Sequence, residues 1–370
     1  MIAIDKRLLK NFDWFLLIIA LLITFIGVLT VYSANYEGAG SSALSMLHVK
    51  KQLIWLLVAV VGMFIFMIFD YSILEEYTLY IYIVNIILLV AVLLIGKKVL
   101  GAQRWLSFGG FNFQPSELFK FTTIILVAKF FSEENRLKKY KLCELAKLIV
   151  MILIPVLLII KQPDLGTGLL VLSVFVGMIV FVGIHSSSIV KIAASGLLIT
   201  PLAWNFLKGY QKNRILTFIF PERDPLGAGY HIIQSKIAVG SGRLFGKGYL
   251  HGTQNKLHFL PEEHTDFIFS VFAEEWGFTG SIVLIVLYFL FFMAMINISR
   301  KAKDNFGALI VIGTMFIFLW QFFINIGMVI GLLPVVGIPL PLMSYGGTSL
   351  VVSYALIGLV LNVGMRRYIF

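Results

Sequence analysis

Residues 259–298 read FLPEEHTDFIFSVFAEEWGFTGSIVLIVLYFLFFMAMINI, and the class of fold turns on how this stretch is read. Taken as one helix from Thr265 to Ile298, it would extend about 50 Å at 1.5 Å per residue, against a hydrocarbon core of about 30 Å. It must therefore tilt, bend or begin outside the core. Gly277 and Gly280 are the expected break, leaving Asp266 to Glu275 as an entry helix and Ser281 onward as the membrane span. Thr265 is expected to cap the entry helix, with Asp266 in its first turn. Glu262, Glu263, His264, Asp266, Glu274 and Glu275 gather more ionisable groups here than any other apolar stretch does.

The rest of the chain agrees with a membrane setting. Of its 370 residues 59% are hydrophobic and only 13% charged, and the mean hydropathy is +0.94; soluble proteins carry about 25% charged residues. Apolar runs long enough to span a bilayer recur at 14–34, 52–70, 77–96, 115–132, 145–160, 165–184, 187–207, 267–298, 306–330 and 347–365. The expected fold is all-α: a polytopic membrane protein of about ten transmembrane helices, one integral unit over 1–370. A structured extracytoplasmic loop, 208–266, joins spans 7 and 8.

The formal charge is +11, but the placement of Lys and Arg makes a nucleic-acid reading unnecessary. With the N-terminus inside, Lys6, Arg7, Lys10, the 129–147 cluster, Lys191, Arg300, Lys301, Lys303, Arg366 and Arg367 all fall on the cytoplasmic side, and so do both termini. The first apolar run is too long for a cleavable signal and reads as a retained signal-anchor. Cys143 is the only cysteine, so no disulfide can form within the chain.

Several outer segments carry polar chemistry. The loop GAQRWLSFGGFNFQPSELFK (101–120) is expected to form a turn or short hairpin at the interface, with Arg104 beside Trp105. Pro115 suits a first helical turn, which puts Glu117 and Lys120 on one face as either a structural ion pair or a cavity-lining pair. In KQPDLGTG (161–168), Asp164 either caps the next helix or points with Gln162 into an outward cavity. Residues 230–239 can form an amphipathic helix, with Ile232, Ile233, Ile237 and Ala238 available for burial and Gln234, Ser235 and Lys236 more polar. The GSGRLFGKG that follows breaks this helix; it lacks the GxxxxGK[ST] pattern of a nucleotide site, and a loop packed closely against a lipid diphosphate is the alternative reading. His251, His258 and His264 lack metal-site spacing. Gln321 and Asn325 share a helix face, consistent with either interhelical hydrogen bonds or a polar cavity wall, with plain packing the favoured reading. The uncharged GLLPVVGIPLPLMSYGGTS (331–349) cannot be one continuous helix, and at membrane depth such backbone must be buried or line a cavity.

FLPEEHTDFIFSVFAEEWGF, with QPSELFK, KQPDLGTG, YHIIQSKIAVGSG, GKGYLHGTQ and PLPLMSYGGTS, resembles the SEDS family of peptidoglycan glycosyltransferases in order from Arg104 to Ser349. The GTQ preceding LHFLPEEHTDF is closer to the RodA branch than to FtsW. The resemblance implies a bacterial inner-membrane enzyme that polymerises lipid II and releases undecaprenyl diphosphate. It also implies a catalytic Asp in the HTDF motif, here Asp266, and a class B penicillin-binding protein as partner in cell elongation. Glycosyl transfer needs a base for the acceptor hydroxyl and positive charge on the departing diphosphate. Asp266 suits the first task; Arg104, Lys120, Arg214 and Lys236 are candidates for the second. Glu117, Gln162, Asp164, Glu263, His264, Thr265, Ser344 and Tyr345 are further substrate-binding or cavity-lining candidates. No organic cofactor is expected. A divalent cation, Mg2+ or Mn2+, bridging diphosphate oxygens is chemically sensible, although no dedicated ligand cluster is present. The competing reading is a flippase for lipid-linked oligosaccharide, against which stands the concentration of candidate residues near the outer surface.

Overall fold

A computed structural model describes residues 10–36, 42–99, 102–108, 111–132, 139–206, 209–223, 227–256 and 264–367. Helices α1 (Trp14–Ala34), α2 (Ser42–Ile68) and α3 (Ser72–Ile95) come first. Strands β1 (Lys97–Val99), β2 (Ala102–Phe108) and β3 (Phe111–Phe113) then precede α4 (Pro115–Ser132), α5 (Ala146–Lys161), α6 (Leu165–Val182) and α7 (Ser186–Phe206). Shorter helices α8 (Gly209–Ile219), α9 (Ala228–Ser241) and α10 (Thr253–Lys256) lead to α11 (Ile268–Arg300), α12 (Asn305–Val329) and α13 (Gly347–Met365).

Helix occupies all ten apolar stretches. Seven of these helices, α1, α2, α3, α6, α11, α12 and α13, are long and apolar enough to cross a membrane, which makes this a multi-pass membrane protein. Of the others, α4 contains Glu117, Lys120 and Lys129, α5 has 16 residues, and α7 contains Pro201.

Aspartates set several helix starts. Asp13 accepts from Leu16 N at 3.0 Å, Asp164 from Thr167 N at 3.4 Å and Asp304 from Gly307 N at 2.7 Å. The α12 helix lies at the centre, packed against α4, α6, α11 and α13, with Ile310, Phe318 and Met328 fully buried. Helices α2 and α3 turn most of their apolar surface outward, as helices facing lipid do.

The expected hairpin is a three-stranded antiparallel sheet in the order β1-β2-β3, pairing Lys97 with Trp105 and Leu106 with Phe113. Within the long loop, α9 packs on α11 and α12. One expectation about α9 is corrected: Ser235 is fully buried and Ile237 is exposed. Ser235 can be buried because its hydroxyl donates to Val329 O at 2.8 Å, at the end of α12.

Candidate active site

After α12 the chain reaches α13 through residues 330–346, which form no regular helix. Gly331 and Gly337 both have φ of 74°, and Leu342 stands at 65°. Pro334, Pro339 and Pro341 cannot donate, so this segment depends on the bundle for partners. Tyr288 Oη donates to Pro341 O at 2.5 Å, and Gln52 Nε2 donates to Ser344 O at 3.4 Å. Gly27 of α1 lets Met343 approach so closely that a Cβ there would lie 2.6 Å from the Met343 backbone.

Against this segment lies the turn 264–267. Tyr345 N donates to His264 O at 2.9 Å, and Ser344 Oγ donates to Thr265 O at 2.6 Å while accepting from Leu340 N at 2.8 Å. Asn325 Nδ2, fully buried on α12, donates to Asp266 O at 2.9 Å and to Ile338 O at 2.8 Å. Three consecutive carbonyls are thereby held. The Asp266 carboxylate is half-buried along Gly337, where an added Cβ would stand 3.2 Å from Oδ2. His48, His264 and Tyr345 cluster with ring centroids 5.2 to 5.5 Å apart, and burial pushes the Tyr345 phenol above its usual range.

Thr265 is not the helix cap it was expected to be. α11 starts at Ile268, and Phe267 occupies the cap position without a side-chain bond. Asp266 consequently stands two residues ahead of the helix, fixed through its main chain, with its carboxylate beside the irregular 330–346 segment. A carboxylate held this way is suited to general-base work.

The other expected residues divide among separate locations. Arg104 Nη1 lies 3.8 Å from Asp164 Oδ1, and its Nη2 donates to Pro163 O. Asp164 Oδ2 accepts from Gln114 Nε2 at 3.0 Å, so Asp164 both caps α6 and pairs with Arg104; among the described residues no ion pair joins it to Lys120. Gln162 is fully buried and donates to Leu89 O at 2.9 Å, which places it in helix packing rather than in an open cavity. Glu117 and Lys120 form a buried pair at 2.6 Å. Gly313 of α12 abuts Ile124 of α4, and counting turns along the two helices puts this pair roughly 8–12 Å deeper than Asn325. Lys236 is exposed, its stem lying over Gly331, and Arg214 is half-buried on α8. Glu263 and His258 lie outside the described residues.

Glu274 and Glu275 belong to a structural strap. Glu274 accepts from Lys247 Nζ at 2.5 Å and from Thr253 N and Oγ1 at 2.9 Å. Glu275 accepts from Leu250 N at 3.1 Å and from the Ser33 hydroxyl of α1. Tyr249 donates to Leu29 O at 3.2 Å; burial, with Glu275 nearby, pushes its phenol up to about 12. The two glutamates thus fasten the 247–254 segment to α11 and α1, and among the described residues no cluster of three His, Cys, Asp or Glu could hold a metal ion.

The arrangement can be set beside known proteins. The model of the FtsW/RodA/SpoVE family, described as cell cycle protein, matches residues 13–369. The chain belongs to this family. It is 46% identical to the peptidoglycan glycosyltransferase MrdB of Escherichia coli K12, over 79% of each chain. It is 33% identical to the peptidoglycan glycosyltransferase RodA of Treponema pallidum, over 98% of this chain and 99% of that one. A solved structure of a peptidoglycan synthase complex, described for its structural coordination of polymerization and crosslinking, superposes with a TM-score of 0.82 at 30% identity, covering 96% and 98% of the two chains. The rod shape determining protein RodA of Thermus thermophilus superposes at 0.72 with 27% identity, covering 97% and 98%.

Sequence reasoning missed the role of one residue of this candidate site. Spacing favours packing for Asn325 over a polar cavity wall and does not mark its role, yet it is the side chain that joins Asp266 to the broken segment. The available signal was a buried amide four residues before the end of α12, facing a proline-rich segment that needed donors.

Proposed function

We infer that this chain, like the relatives named above, is a peptidoglycan glycosyltransferase, and we propose that it polymerises lipid II on the outer face of a bacterial inner membrane with Asp266 as general base. The observation that carries the reading is the pinned 264–266 turn, which sets one half-buried carboxylate beside the irregular 330–346 segment. In this mechanism an Asp266 carboxylate oxygen takes the proton of the acceptor hydroxyl as that oxygen attacks the anomeric carbon of the donor sugar. The bond from that carbon to the diphosphate breaks, and undecaprenyl diphosphate departs with inversion. One base and an anionic leaving group suffice, so no carboxylate nucleophile is needed.

Positive charge for the diphosphate would come from Lys236, which is exposed above Gly331, and from Arg214. Mg2+ or Mn2+ on the diphosphate is chemically compatible with a single protein carboxylate, because Mg2+ commonly binds through one or two carboxylates plus substrate phosphates. A transpeptidase partner of the class B penicillin-binding type is supported by the likeness to a synthase complex in which polymerization and crosslinking are coordinated. Work in cell elongation is supported by the likeness to a rod shape determining protein of Thermus.

The test is to give purified protein labelled lipid II in detergent with its transpeptidase partner and no membrane gradient. Glycan product is expected, and Asp266→Asn should lower its rate at least about 100-fold while the protein still folds and binds its partner. Wild-type protein that makes no product, yet moves lipid II across vesicles, would favour the flippase instead.

A further inference from the structure

Between α9 and the strap the chain forms a tip, Arg243-Leu244-Phe245-Gly246, whose apolar side chains stand largely clear of the protein: Leu244 is 62% exposed and Phe245 81%. The tip is firmly seated. Phe278 N donates to Arg243 O at 2.8 Å, and Thr279 donates to Leu244 O from both its N (3.0 Å) and its Oγ1 (2.9 Å). These bonds set its height on α11, one residue beyond the kink at Gly277.

That height can be compared with the bilayer. From Phe278 to Arg300 the straight part of α11 has a length of about 33 Å, close to a hydrocarbon core of about 30 Å. With Arg300 at one boundary, Phe278 and Thr279 stand at the other. The side chains beside the tip are those of an interfacial belt, with Trp276 46% and Phe278 60% exposed, and they continue into the exposed Ile282 and Val283 farther along the helix. Arg243 is exposed as well, whereas Lys247 is held by Glu274.

We propose that Leu244 and Phe245 dip into the outer leaflet of the membrane, with Arg243 in its phosphate layer, so that the loop carrying the strap is anchored to phospholipid. The burial of two large apolar side chains favours this seat, and a guanidinium at phosphate depth adds charge-assisted hydrogen bonds. This inference stands independently of the catalytic reading.

Site-directed spin labelling of the full chain tests it. In a Cys143→Ser background, Arg243→Cys, Leu244→Cys and Phe245→Cys are labelled singly and reconstituted into nanodiscs of phosphatidylethanolamine and phosphatidylglycerol. Ser187→Cys, exposed at the start of α7, and Ile285→Cys, exposed within α11, serve as aqueous and lipid references. Labels at 244 and 245 should collide more with oxygen than with a water-soluble nickel chelate, as at 285, while the label at 243 should favour the chelate. Chelate access at 245 equal to that at 187 would overturn the proposal in favour of a solvated loop. Access to neither reagent would overturn it in favour of a protein covering the tip. All three side chains are exposed, so their replacement leaves the core intact, and agreement between positions 244 and 245 guards against a local disturbance.

Discussion

Replacing Asn325 by leucine keeps the side-chain volume close to that of the original and removes both donated hydrogen bonds, so the carbonyls of Asp266 and Ile338 lose the partner that joins them. Each buried carbonyl left without a partner costs about 1–3 kcal/mol. That is enough to let the turn drift, and a base is sensitive to drift because proton transfer requires it within hydrogen-bond reach of the acceptor. Asn325→Leu should therefore lower kcat about tenfold or more with a smaller change in KM, and lower the melting temperature by a few degrees. A loss confined to the melting temperature would return Asn325 to plain packing. The contrast with Asp266 explains what was legible. An Asp in an HTDF motif carries its signal in its neighbours, but Asn325 sits in FFINIGMV, where nothing local says which carbonyls will come to face it. The packing of Gln162 and Ser235 escapes a sequence reading for a related reason, since each donates its hydrogen bond to a carbonyl distant in sequence.

At the scale of elements, the break in α11 was readable because a run of 34 apolar-rich residues, 265 to 298, cannot sit straight in a bilayer. Which glycine breaks it was not readable, because the choice depends on the strap. Gly277 adopts φ 65° and ψ −162°, a region open essentially to glycine alone, and a Cβ there would collide with Gly246 N. Gly280 remains helical. Gly277→Ala should therefore destabilise by about 1–3 kcal/mol from backbone strain alone and loosen residues 241–256, seen as faster proteolysis or hydrogen exchange in that segment. The corner between α2 and α3 makes a different prediction. Burial alone would raise the Asp70 carboxyl, but hydrogen bonds from Ser72 and the nearby Arg366 outweigh it and hold the group below its usual value. A lowered folded value means that the stabilisation is present above the ordinary carboxylate range and is lost as pH falls through the folded value. Thermal stability should accordingly decline below about pH 4, and Asp70→Asn should flatten part of that decline. An unchanged acid limb in the variant would remove Asp70 from the account.

For the molecule as a whole, the ten helical stretches were legible because lipid demands long apolar runs and imposes the same demand on each span. The orientation of the bundle rests on a second constraint, that short cytoplasmic loops hold more Lys and Arg than outer ones. Cys143 offers a direct test of it. It is the only cysteine in the chain, it is exposed, and it lies between α4 and α5 in a connection that carries Arg136, Lys138, Lys139 and Lys141. If both termini and this connection face the cytoplasm, a membrane-impermeant maleimide should leave Cys143 unmodified in intact spheroplasts and label it after permeabilisation. With all ten helical stretches crossing, the same orientation places the 264–267 turn, the 330–346 segment and the strap together on the opposite face, because four crossings lie between the N-terminus and Cys143 and six between Cys143 and the C-terminus, but three, an odd number, between Cys143 and Asp266. Labelling of Cys143 in intact spheroplasts would therefore invert the whole arrangement and put Asp266 on the cytoplasmic side, where an outer-face polymerase could not use it.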